Sequence, residues 1–225
     1  MNDARLRLAV FDCDGTLVDS QHLIVEAMAR AFQAHGLTPP PADAVRQVVG
    51  LSLPEAVAGL APGLSFDRCA AIAESYKEAF RALRRARPDL IEPMFGGARA
   101  VLVELDRRGH LLAIATGKSR RGLAAVLAHH EIERLFVSLQ TADHHPSKPH
   151  PAMLDQAMAE TGSRPDETIF VGDTTFDVAM ALAAGVRPIG VAWGYHPALA
   201  LRHAGADRIL ERFEEVLELV IEPSP

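Results

Sequence analysis

The chain begins with a short apolar run at residues 6–11, which stops at Asp12-Cys13-Asp14-Gly15-Thr16. A run of that length ended by a glycine predicts a buried strand and a turn. From about residue 20 to residue 87 the apolar positions instead recur at helical spacing. Leu23, Ala27, Ala31 and Ala34 share one face, which Phe32 widens, and Gly36 with Pro39-Pro40-Pro41 ends that helix. Short helices are predicted over 42–49 and 54–60, and Ala61-Pro62-Gly63 breaks the chain again. Phe66, Cys69, Ala73, Tyr76, Phe80 and Leu83 then form the stripe of a longer helix, closed by Pro88 and Pro93.

Beyond Pro93 the pattern alternates. Helices are predicted over 97–108, 120–129, 151–160 and 176–184. Strands are predicted over 111–115, 136–139, 168–171, 186–191 and 208–210, with a last helix over 213–221. Alternating strands and helices imply a parallel sheet covered on both faces. The first strand joins that sheet, so the helical block is an insertion that leaves the sheet just after the aspartate pair. Ligands of open α/β sheets bind beyond the carboxyl ends of the strands, and an insertion rooted there can act as a lid.

Composition narrows the class. The 225 residues are 48% hydrophobic and 23% charged, with a net charge of -6, which argues against a nucleic-acid partner. Arg81, Arg84, Arg85 and Arg87 cluster, and are read as a solvated helix end. The two cysteines suggest neither a disulfide framework nor a metal cluster. No apolar run has the length of a membrane helix and the N-terminus lacks a signal-peptide pattern, so no membrane association and a cytoplasmic location are expected. A monomer or homodimer is equally compatible with these features.

Several strand tips carry polar groups. In an extended chain Asp12 and Asp14 point the same way. The strand over 111–115 ends in Thr116-Gly117-Lys118-Ser119, that over 168–171 in Gly172-Asp173-Thr174-Thr175-Phe176-Asp177, and Ser147-Lys148-Pro149 lies between them. Bringing Asp12, Asp14, Asp173 and Asp177 to one sheet edge costs about 4 kcal/mol for each like-charge pair at about 4 Å and an effective dielectric near 20. A divalent cation or protonation is needed, and an all-oxygen ligand set favours magnesium. Thr116, the Gly117 amide and Lys148 add donors for an anion. Carboxylates, a hard cation and an oxyanion cradle describe phosphoryl transfer.

Asp12-Cys13-Asp14-Gly15-Thr16, Thr116, Lys148-Pro149 and Gly172-Asp173 with Asp177 resemble, in order, the four motifs of the haloacid dehalogenase-like hydrolases. The helical insertion and the segment Gly190-Val191-Ala192-Trp193-Gly194-Tyr195 are similar to the phosphoglycolate phosphatase-like branch. The resemblance implies an α/β fold: a Rossmann-like parallel sheet core over 1–16 and 93–225, with a small α-helical cap over 17–92. It implies Asp12 as nucleophile and Asp14 as acid and then base. Magnesium would be held by Asp12, the backbone carbonyl of Asp14, and Asp173. Thr116, Gly117 and Lys148 would bind phosphate, and Asp177 would support the metal shell or orient Lys148.

Each residue also has a plainer reading. Asp173 and Asp177 could charge a helix N-terminus, Thr116 could cap one, and Lys148 and Lys118 could be surface lysines. The histidine pairs His129-His130 and His144-His145 lack the spacing of a helical zinc site. The expected activity is hydrolysis of a small phosphorylated metabolite, with 2-phosphoglycolate the first choice. A sugar-phosphate mutase or pyrophosphatase is the enzymatic alternative, and the loop Val49-Gly50-Leu51-Ser52-Leu53-Pro54-Glu55 offers no cation for a second phosphate. Asp14 argues against a dehalogenase, and Lys77, the sole lysine of the insertion, against a phosphonate hydrolase. The rival of another class is a phosphate-binding regulatory protein without turnover.

Overall fold

The computed structural model describes residues 6–86 and 92–219. Its centre is a six-stranded parallel sheet: β1 (Leu8–Phe11), β2 (Leu111–Thr116), β3 (Ser138–Thr141), β4 (Thr168–Gly172), β5 (Arg187–Val191) and β6 (Arg208–Leu210), in the order β3-β2-β1-β4-β5-β6. β1 is central, with Leu8 opposite both Leu111 and Thr168. Alternation along the strands divides the core. Ala9, Phe11, Leu112, Ile114, Ile169 and Val171 face one side, packed by α5 (Ala98–Arg107) and α6 (Arg120–His129). Leu8, Val10, Ala113, Ala115 and Phe170 face the other, packed by α7 (Ala152–Thr161) and α8 (Thr175–Ala183).

Between β1 and α5 lie α1 (Gln21–Ala34), α2 (Ala42–Gln47), α3 (Leu53–Leu60) and α4 (Phe66–Ala86). They bury an apolar cluster of their own, built on Leu23, Ala27, Met28, Phe32, Val57, Ile72 and Leu83, with Tyr195 of the sheet side inserted into it. Arg87 and Pro88, and the end of the helix expected over 213–221, lie outside the described residues; what is described there is a 3-10 turn, Phe213–Glu215, and a short helix, Val216–Leu219.

Two expectations need correction, and one helix was not expected. Phe66 is 78% exposed, because it starts α4 rather than lying within its buried stripe. The third strand is displaced to Ser138–Thr141, since Leu135 and Phe136 are buried from a 3-10 turn and its exit instead. A helix, α9 (Ala198–Ala204), escaped the sequence reading because its one buried residue, Leu201, makes no periodic stripe.

Candidate active site

Asp12 follows β1, Thr116 closes β2 and Asp173 follows β4, so three neighbouring strands in the order β2-β1-β4 deliver these groups to one edge. Lys148 arrives from the loop between β3 and α7. It is 1% exposed, with its Nζ 2.6 Å from Asp177 Oδ1 and 3.0 Å from Asp12 Oδ1. The first contact is a hydrogen bond. Asp177 also receives the Thr174 amide at 2.9 Å and the Thr174 hydroxyl at 2.8 Å, so the start of α8 locks it in place.

One carboxylate oxygen each from Asp12, Asp173 and Asp177 lies within 4.8 Å of the others, all three buried. Asp173 accepts the Thr16 hydroxyl at 2.9 Å and the Tyr195 amide at 2.9 Å. Gly15, at φ +85°, lies so close beside it that a β-carbon there would collide with the Asp173 carboxylate. Both carboxylate oxygens of Asp12 are buried, with Lys148 Nζ 3.0 Å from Oδ1. Lys148 supplies one positive charge against three buried carboxylates, so the cluster needs a further counter-charge. A cluster made of oxygen donors alone suits a hard metal cation.

The electrostatics agree. Burial pushes the Asp12 carboxyl up, Lys148 opposes this, and Asp177 and Asp14 add to it, leaving it at about 6. Burial and the charges of Asp177 and Asp12 hold Asp173 well above the carboxylate range, against the pull of the Tyr195 amide and Thr16 hydroxyl. Burial would lower the Lys148 ammonium, but Asp12 and Asp177 more than offset it and hold it above the usual lysine range.

Asp14 departs from the expected common cluster. β1 ends at Phe11 and the chain turns through a bridge between Asp14 and Val18, so the strand geometry assumed for the aspartate pair no longer applies. Its carboxylate accepts from the Ser20 hydroxyl and from Lys118 Nζ, the latter at 2.7 Å. Lys118 is therefore no surface lysine: its side chain is 8% exposed, and its Nζ also lies 3.2 Å from buried Glu92 Oε1. Burial opposes this ammonium, while Asp14 and Glu92 outweigh the burial and raise it. Ser20 and Glu92 were missed from sequence, since neither belongs to a charge-dense motif, and Thr16 was named within the first motif without a role of its own. Cys13 is buried in the apolar core, as expected, although it lies beyond the end of β1. Neither histidine pair joins a metal cluster among the described residues: His130 contacts the Glu92 carbonyl and His145 the Gln140 side chain.

Asp12, Asp14, Thr116, Gly117 and Lys118 open onto a cavity of about 340 Å³ between the sheet edge and the helical block. Lys148, Asp173 and Asp177 do not line it, but Lys148 Nζ lies 3.0 Å from Asp12 Oδ1 at its wall. Thr116 is buried, its hydroxyl accepting the Lys118 amide at 3.2 Å. At Gly117 an added β-carbon would stand 2.6 Å from the Gly50 carbonyl oxygen and 2.7 Å from that of Leu51. Only glycine lets the loop after α2 approach this closely. Arg81 and Arg84, read from sequence as a solvated helix end, also line the cavity, as does Lys77, which pairs with Glu74 at 2.7 Å.

Residues 9–191 match the family model of the haloacid dehalogenase-like hydrolases. The probable phosphatase IndB of Dickeya dadantii is 35% identical over 93% of this chain and 91% of its own length. A phosphoglycolate phosphatase of Pseudomonas fluorescens is 34% identical over 84% of this chain and 71% of its own. Among solved structures, a haloacid dehalogenase-like family hydrolase from Streptococcus pneumoniae superposes with a TM-score of 0.81 at 26% identity, over 97% of this chain and 99% of that one. A six-stranded parallel sheet, a buried acid cluster at its carboxyl edge and a match spanning most of the chain agree: the protein belongs to the haloacid dehalogenase-like hydrolases.

Proposed function

We propose that this hydrolase is a magnesium-dependent phosphatase for a small phosphorylated metabolite, acting through an aspartyl-phosphate on Asp12. The observation that carries the reading is the Asp12 carboxylate: buried beside Lys148, clustered with Asp173 and Asp177, and open to the cavity. Asp12, Asp173 and the main-chain carbonyl of Asp14 would hold the magnesium ion, whose charge when bound neutralises the carboxylates and the phosphoryl oxygens.

A carboxylate oxygen of Asp12 attacks phosphorus while the ester P–O bond breaks, and the departing oxygen takes a proton from Asp14. Asp14 then takes a proton from a water that attacks the same phosphorus. The Asp12–phosphorus bond breaks and inorganic phosphate leaves. Ser20 and Lys118 hold the Asp14 carboxylate against the cavity for both transfers. Lys148, the Thr116 hydroxyl and the Gly117 amide steady the phosphoryl oxygens, and Asp177 fixes Lys148. The division into a core of residues 1–16 and 93–225 and a cap of 17–92 belongs to this proposal. The cap would exclude water by seating its Gly50 loop on Gly117.

Phosphate release tests the reading, assayed over a panel of monoesters with magnesium and with a chelator. The panel includes 2-phosphoglycolate, suggested by the name of the Pseudomonas fluorescens relative. Release that requires magnesium supports it. Isomerised sugar phosphates without net release would make the chain a mutase, release from pyrophosphate alone a pyrophosphatase, and phosphate binding without turnover a regulatory protein.

A further inference from the structure

The basic face of α4 turns toward the cavity. Lys77, Arg81 and Arg84, at i, i+4 and i+7, share one side of the helix and all line it. Lys77 is held by Glu74, and Arg84 lies 3.4 Å from Glu92. Arg81 is half-buried, yet no ion pair or hydrogen bond engages it among the described residues. Arg121 lines the cavity from the opposite side and is likewise unengaged among the described residues. It sits in the first turn of α6, where the helix dipole opposes a cation. Asp143 also reaches the cavity, exposed, with its Oδ2 accepting the Arg120 amide at 2.7 Å.

Two guanidinium groups without partners among the described residues, Arg81 half-buried and Arg121 exposed, thus border one open cavity on a chain of net charge -6. The remaining wall is apolar: Ile24, Met28, Val49, Leu53, Tyr76 and Phe80. At about 340 Å³ the cavity lies at the lower end of the range that holds drug-sized ligands, which is more than the ester of a two-carbon acid requires. Guanidinium forks match carboxylate and phosphate oxygens equally well.

We propose that Arg81 and Arg121 form a subsite for a second anionic group on the leaving half of the substrate, so that the preferred substrates are phosphate monoesters of apolar-bodied acids larger than a two-carbon acid. The missing cation of the Gly50 loop is supplied from α4 and α6 instead. The proposal rests on the phosphatase reading and names its substrate class.

The test is a series of carboxyalkyl phosphates of increasing length, beginning with 2-phosphoglycolate. Uncharged alkyl phosphates and terminal bisphosphates of the same lengths run beside it. The charged tail should raise kcat/KM about tenfold over the uncharged one, the increment of one charge-assisted hydrogen bond, with the optimum beyond two carbons. The carboxylate and bisphosphate arms show which anion is taken. Arg81→Gln and Arg121→Gln should each raise KM for the charged series about threefold, shrinking its advantage over the uncharged series, and Arg81→Lys should restore part of it. Equal turnover of charged and uncharged tails, or an advantage that survives both Gln substitutions in proteins that melt normally, overturns the subsite while leaving the phosphatase intact. Absence of any hydrolysis, para-nitrophenyl phosphate included, overturns the phosphatase reading and the subsite with it.

Discussion

Replacing Asp12 by Asn should make the metal-free protein more stable while destroying its activity. In the fold the Asp12 carboxyl titrates at about 6 against 3.8 for the free group, chiefly because burial penalises its charge. A carboxyl raised by folding favours the native state while protonated, so its contribution is fully present below about pH 3.8 and is lost as pH rises through about 6. At about 1.4 kcal/mol per pH unit, that gap amounts to about 3 kcal/mol by about pH 8. Asn carries no charge at any pH and escapes this cost. In a chelator at about pH 8 the variant should gain about 3 kcal/mol, or about 6–12 °C in Tm for a chain of this size. The gain should vanish near pH 4. Adding magnesium should narrow or reverse the difference, because only the wild type keeps the full ligand set. Urea titrations of both proteins across this pH range, with and without magnesium, measure each quantity. An Asn variant less stable than wild type in chelator at about pH 8, or a difference independent of pH, would refute the reasoning.

Two further substitutions probe the cavity. Lys118→Met leaves the Asp14 and Glu92 carboxylates buried without their shared cation, and should cost about 3 kcal/mol of stability; kcat should fall more steeply than KM changes, which steady-state kinetics would separate from simple unfolding. Gly117→Ala drives a methyl into the Gly50 and Leu51 carbonyls, so it should cost about 1–3 kcal/mol and raise KM as the helical block is pushed off the sheet edge. Wild-type melting and KM in that variant would show that the loop does not rest there.

The strand tips were legible because their chemistry is concentrated in short motifs and a parallel sheet must bring its carboxyl ends together. Asp12, Lys148, Asp173 and Asp177 therefore converge as expected. Boundaries were less legible where burial comes from turns, as at Leu135 and Phe136, or where a helix buries a single residue, as α9 does. The partners of Asp14 were hidden for another reason. Its exit from strand geometry depends on the turn closed by Val18, and Lys118 reaches it from 104 residues away while sharing its ammonium with Glu92. A lysine flanked by glycine and serine carries no mark of burial. The basic end of α4 likewise looks the same in sequence whether it faces water or a cavity; the packing of the helical block over β2 and α6 decides which.

The most direct test is to acid-quench the wild-type enzyme during turnover of a monoester with magnesium and map phosphorylated peptides by mass spectrometry. The expected result is a phosphoryl group on Asp12, absent from Asp12→Asn, which also releases no phosphate. Phosphate release by Asp12→Asn at the wild-type rate, with no adduct on Asp12 in either protein, would contradict it.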